Sequence, residues 1–136
     1  MNIALNTGDR LEITELFARY CHHVDHAEAD AWVALFTPDG VFDIEGVMRL
    51  QGAAQLRGMP GVVAEQGKGK WRHQITSIMI TPTSAGADVR AYGLLTDWTG
   101  AGRLAGFTEY QGRLQRVDGA WRIAALTARM VGAPPG

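Results

Sequence analysis

The chain has a single cysteine, Cys21, so an intramolecular disulfide is excluded and nothing in it calls for an oxidising compartment. It has no excess of positive charge. Thirteen Lys and Arg stand against 14 Asp and Glu with no basic stripe, which argues against nucleic acid or an anionic membrane surface as partner. No stretch approaches the ~18 apolar residues of a membrane span. The opening MNIALNTGDR lacks the charged-then-apolar pattern of a signal peptide, so a cytoplasmic protein is expected. There is no glycine-rich phosphate loop, dinucleotide fingerprint, cysteine pair spaced for zinc or serine nucleophile elbow. No metal or organic cofactor is therefore expected.

What is present is ordinary globular composition, 46% apolar and 20% charged, which argues against disorder. The 136 residues fit one domain, 1–136, with 1–8 and 132–136 expected to be loose. A chain of this size buries roughly two-thirds of its unfolded surface.

Asp9, followed three positions later by Glu12, has the form of a capping box. From there Ile13, Leu16, Phe17, Tyr20 and Val24 recur at helical spacing, predicting a helix over about 9–26. A second, shorter helix is predicted from Asp30 through Phe36, stopped by Thr37-Pro38-Asp39-Gly40. The period then changes to two. Val41–Glu45 and Val47–Leu50 read as a short hairpin about Gly46, and Gly52–Gln66 as a third helix interrupted near Gly58–Gly61. Strands are predicted at about 71–81, 87–98, 103–116 and 121–131, with Asp118-Gly119 marking a tight hairpin before the last. Helices followed by antiparallel strands mean an α+β fold, with helices covering one face of a curved sheet. The concave face so covered leaves an apolar cavity, where function is to be sought.

Titratable groups concentrate in Tyr20-Cys21-His22-His23-Val24-Asp25-His26. His22 and His26, at i and i+4, could share a metal ion. Helical projection puts both opposite the apolar stripe, however, and no further ligand spacing supports a metal; imidazoles complementing a helix C-terminus are the simpler reading. Asp25 projects to the flank of the stripe and is either an exposed helix-end residue or turned into the cavity. His73 shares a strand face with Trp71, Ile75, Ser77 and Met79 by alternation. It is either a hydrogen-bonded core side chain or a general base oriented by a carboxylate. Spacing alone does not bring residues 25 and 73 together.

The ordered set Tyr20, Asp25, Trp32–Gly40, Gly52, Arg72-His73, Gly106 with Tyr110, and Asp118–Ile123 resembles the SnoaL-like branch of the nuclear transport factor 2-like superfamily, from Ile13 to Met130. The resemblance implies a curved, mostly antiparallel sheet wrapped by N-terminal helices into a cone, a cystatin-like α+β barrel with an internal pocket. Within the branch the chain looks most like scytalone dehydratase and the hexachlorocyclohexane dehydrochlorinase, the latter particularly at Thr37–Gly46. That likeness implies a catalytic pair in which His73 is the base and Asp25 orients it. The expected substrate-binding residues are Tyr20, Trp32, Phe42, Trp71, Trp98 and Arg129. Tyr20 stands where the dehydrochlorinase has a lysine, and Arg129 matches its pocket arginine. Thr96-Asp97-Trp98 lacks the second pocket histidine of scytalone dehydratase. A cofactor-independent lyase or isomerase acting on a small apolar substrate is implied, assembled as a dimer or trimer through the convex sheet face. The alternative is a non-catalytic ligand-binding or structural subunit like the small subunit of ring-hydroxylating dioxygenases.

Overall fold

A computed structural model describes residues 4–132; of the ends expected to be loose, 1–8 and 132–136, residues 1–3 and 133–136 lie outside the described residues, and Thr7 and Gly8 are helical. The elements in chain order are α1 (Thr7–Asp25), α2 (Ala29–Val33), β1 (Phe36–Ile44), β2 (Met48–Gln51), α3 (Ala53–Leu56), α4 (Met59–Gln66), β3 (Trp71–Pro82), β4 (Ala87–Asp97), β5 (Arg103–Val117) and β6 (Ala120–Met130). All six strands form one sheet in the order β2-β1-β6-β5-β4-β3. It is antiparallel except where β1 runs parallel to β6. The sheet curves but does not close: β2 and β3 remain its edges. The α+β architecture is the one expected from the sequence.

Helix α1 starts two residues earlier than its spacing suggested, because Asn6 rather than Asp9 is the cap. The Asn6 side chain accepts from the Asp9 amide at 2.7 Å, and Asp9 returns the bond to the Asn6 amide at 2.9 Å. Asp9 is buried and also accepts from the Trp121 indole at 3.2 Å and from Arg116. The Asn6 amide, foremost, and then the indole hold its carboxyl below the usual carboxylate range. Glu12 is freed from capping and accepts the Trp121 amide at 2.7 Å. Two acids of the first turns thus pin α1 to β6. The stripe residues Ile13, Leu16, Phe17, Tyr20 and Val24 are all buried against the sheet.

Helix α2 is shorter than expected, and Phe36 already belongs to β1. Thr37–Gly40 does not end in a free turn. It is a wide irregularity inside β1, which advances from Phe36 to Val41 while β6 advances only from Ile123 to Ala125. Gly40 is required there, since a Cβ would lie 2.9 Å from the Phe36 Cβ.

Strand β3 departs from simple alternation as well. Thr76 pairs with Tyr92 but Met79 pairs with Arg90, a bulge at Ser77 and Ile78 in which Ser77 takes φ +55°. One extra residue inverts the parity beyond it. Ile78 and Ile80 therefore take the half-buried inner positions, while Ser77 is exposed and Met79 is 53% exposed. Trp71, His73 and Ile75, before the bulge, keep their shared inner face. No helix among the described residues is long and apolar enough to cross a membrane.

Candidate active site

Asp25 is the last residue of α1, and the Val24 side chain beside it is sealed into the core. That anchoring turns the Asp25 carboxylate inward, where its side chain is only 4% exposed. His73, third residue of β3, meets it across 48 residues of sequence. Asp25 Oδ1 lies 2.6 Å from His73 Nδ1, and Asp25 Oδ2 accepts the His73 main-chain N–H at 2.8 Å. Both carboxylate oxygens thus serve one residue. An ionised carboxylate is acceptor-only, so Nδ1 carries a proton, and in the neutral imidazole the free lone pair is on Nε2. The main-chain bond fixes the carboxylate against β3, so the imidazole is held by a group that cannot itself swing away.

His73 lines a cavity of about 340 Å³ between the concave sheet face and α1 and α4. Val24, Ile75, Met59, Val63 and Leu95 make its walls apolar. Tyr20, Phe42 and Trp71, three of the residues expected to bind substrate, line it too. So does Tyr110 of β5, which the sequence reading quoted only as a carrier of the family likeness. Its inward direction was legible in the alternation of β5, whose Tyr110, Gly112 and Leu114 are all buried. The Tyr20 and Tyr110 rings stand edge-on with centroids 6.3 Å apart. Burial above all pushes both phenols upward from their ordinary pKa, Tyr20 well upward, so both stay protonated donors across the neutral range.

Arg103, at the start of β5, also lines the cavity and was not singled out from the sequence. It pairs with Asp97 at 3.1 Å. Asp97 is buried and accepts the Thr99 amide at 2.9 Å and the Thr99 hydroxyl at 2.8 Å. These bonds, led by the Thr99 amide, lower its pKa.

Three residues expected at the pocket lie elsewhere. Trp32 is wholly buried in an aromatic cluster with Tyr20, Phe36 and Phe42, and its indole N–H has no partner among the described residues. It supports the wall without reaching the cavity. Trp98 follows the end of β4, is 53% exposed, and donates its indole N–H to Thr96 at 3.0 Å. Arg129 lies between Ala128 and Met130, which line the cavity, so alternation sends it to the opposite face. Its side chain is 70% exposed and reaches Glu45 at 3.8 Å. His22 and His26 are exposed, their rings parallel at 6.2 Å, with His26 Nδ1 2.7 Å from the His22 carbonyl oxygen. Among the described residues no three His, Cys, Asp or Glu side chains cluster so as to hold a metal ion.

Comparison with known proteins agrees with this architecture. No curated protein matches the sequence. An NTF2-like protein with a cystatin-like fold from Novosphingobium aromaticivorans superposes with a TM-score of 0.85 at 20% identity, covering 93% of this chain and 84% of its own. A protein of unknown function from Mycobacterium tuberculosis gives 0.82 at 29% identity, covering 94% of this chain and 79% of its own. A scytalone dehydratase-like protein from Novosphingobium aromaticivorans gives 0.77 at 17% identity, covering 92% and 85%. The SnoaL-like domain model matches residues 6–127, nearly the whole described chain, and the protein belongs to that family.

Proposed function

We propose that the protein is a cofactor-independent lyase or isomerase that removes a proton from a small, largely apolar, cyclic substrate. The observation that carries this reading is the double grip of Asp25 on His73, at 2.6 Å on Nδ1 and 2.8 Å on the main-chain nitrogen. A purely structural histidine needs one acceptor. Here the carboxylate fixes ring, tautomer and backbone together, which is what a base presenting Nε2 to a cavity requires.

In the proposed reaction Nε2 of His73 takes a proton from substrate carbon, and Asp25 stabilises the imidazolium that forms. Tyr20, protonated and facing the cavity, holds the leaving hydroxyl or halide or a developing oxyanion. Arg129 has no part in it. Elimination of water is favoured by the family likeness, with isomerisation next. A positioned base of this kind contributes about 10²–10⁴-fold, so orientation by the apolar walls supplies the remainder.

The test is a panel of cyclic β-hydroxy ketones and chlorinated cyclohexanes, read by formation of conjugated product and release of chloride. Turnover by wild-type protein without added cofactor, abolished in His73→Ala while the fold is kept, is the expected result. Near-wild-type turnover in His73→Ala would remove His73 as the base.

A further inference from the structure

Arg103 has no part in the reaction proposed above, yet it is the only Lys, Arg, Asp or Glu among the described residues that line the cavity. Its register brings it there. Trp71, Asp97 and Arg103 form one row across β3, β4 and β5, and His73, Leu95 and Gly106 form the row two residues along β3. Simple alternation from Gly106 would send Arg103 outward. The pairing slips between Leu95 and Thr96, with Ala105 as the extra residue on β5, and that slip turns Arg103 to the concave face.

Asp97 is buried and does not line the cavity, so its bond to Arg103 at 3.1 Å holds the guanidinium from behind. One of the five N–H groups is engaged in that way, and no other acceptor among the described residues meets the rest. A guanidinium steadied on one edge presents the other as a fork that fits a carboxylate. The surrounding charge has the matching sign. Segments 65–72 and 97–103 meet at this end of the sheet, where the Trp98 amide donates to the Lys70 carbonyl at 2.9 Å. Together they carry Lys68, Lys70, Arg72 and Arg103 against Glu65 and Asp97, a surplus that draws anions toward the cavity mouth.

We infer that Arg103, fixed by Asp97, binds a carboxylate of the substrate, which is a small cyclic carboxylic acid with its acid group remote from the carbon that His73 deprotonates. This deepens the reading of His73 as the base and rests on it for the reacting end alone. The Cα atoms of His73 and Arg103 stand two strand spacings and one two-residue step apart, about 12 Å. Both side chains extend into that gap, and a ring with its acid group fills what remains. Trp71 gives the ring a flat apolar wall, and Gly67 makes room for the indole, since a Cβ there would collide with it. Apolar walls alone set no direction for a ring. A carboxylate held at the mouth does, and it leaves the far side of the ring facing His73.

The test is titration calorimetry with 2-naphthoate and its uncharged isostere 2-naphthamide, on wild-type protein and on variants whose fold is confirmed by circular dichroism. Saturable binding of naphthoate to wild-type protein is expected, and the ratio of the two affinities reads the anchor. Arg103→Gln should lower that ratio by about fivefold, the size expected where the guanidinium side chain is 59% exposed and water screens it. Naphthamide affinity should stay within about twofold, and His73→Ala, two strands away, should leave the ratio within about twofold as well. A ratio unchanged in Arg103→Gln, a ratio lost in His73→Ala instead, or naphthoate that does not bind saturably overturns the proposal. Where the ratio behaves as expected and wild-type protein turns over none of the cyclic substrates, the anchor stands and the base is refuted instead.

Discussion

Replacing Asp25 with asparagine changes one oxygen for an NH₂ and leaves the size of the side chain alone, yet the surrounding donors cannot accept the exchange. In the native arrangement both oxygens accept, one from His73 Nδ1 at 2.6 Å and one from the His73 amide at 2.8 Å. The amide oxygen can serve only one of them. If it keeps the main-chain N–H, the NH₂ faces Nδ1 and the imidazole must move its proton to Nε2. The basic lone pair then points away from the cavity. If it keeps Nδ1–H, two donors face each other at the backbone, a buried clash worth about 1–3 kcal/mol. The first arrangement satisfies every group, so the tautomer switch is expected to prevail. Turnover of an identified substrate should fall by about 10³-fold, near the middle of what general-base catalysis contributes, with KM little changed. Nitrogen-15 spectra of labelled histidine should show the proton on Nδ1 in wild-type protein and on Nε2 in Asp25→Asn. A variant with turnover within about threefold of wild type and the proton still on Nδ1 would refute the role assigned to the carboxylate.

Arg129→Ala should leave turnover unchanged and stability within about 0.5 kcal/mol by urea titration, since its only partner among the described residues is an exposed glutamate at 3.8 Å. Asn6→Ala removes the cap of α1 and should cost about 1 kcal/mol, measured by the same titration. Burial pushes the Cys21 thiol from its ordinary 9.0 up to about 11. The unfolded thiol therefore ionises first, and the contribution, intact below pH 9.0, should be lost as pH rises through about 11. Its size is about 2–3 kcal/mol at full loss, and denaturation midpoints of wild type and Cys21→Ala compared at pH 8 and in alkali should converge accordingly.

Local chemistry carried most of the strand and helix pattern. The apolar stripe of α1, the interruption at Gly58, the Asp118-Gly119 hairpin and the inward face of His73 all follow from spacing within a few residues, and each appears in the structure. Pairing between distant segments is a different matter. Nothing within reach of Thr37–Gly40 announces that it crosses β6 in parallel, because a proline and a glycine read as a turn until a second strand accepts them. Alternation counts parity only while the strand is regular, so the bulge at Ser77 turned Met79 outward against the count. Arg129 shows the opposite failure. Its strand is regular there and parity alone sends it outside; the expectation that it faces the pocket came from the family likeness. Asp25 lay on the flank of its helix stripe, where inward and outward differ by a small rotation. Only His73 of β3, presenting its main-chain N–H and its side-chain Nδ1 to the carboxylate, decided its direction. The direction of the Tyr110 ring depended on the adjacent strand, since a glycine at 93 declares the room it leaves only when a ring comes to fill it. The sequence by itself determined what each segment could become and which side chains were chemically able. Tertiary structure decided which of them meet, because contacts across the sheet depend on registers and bulges summed over the whole fold.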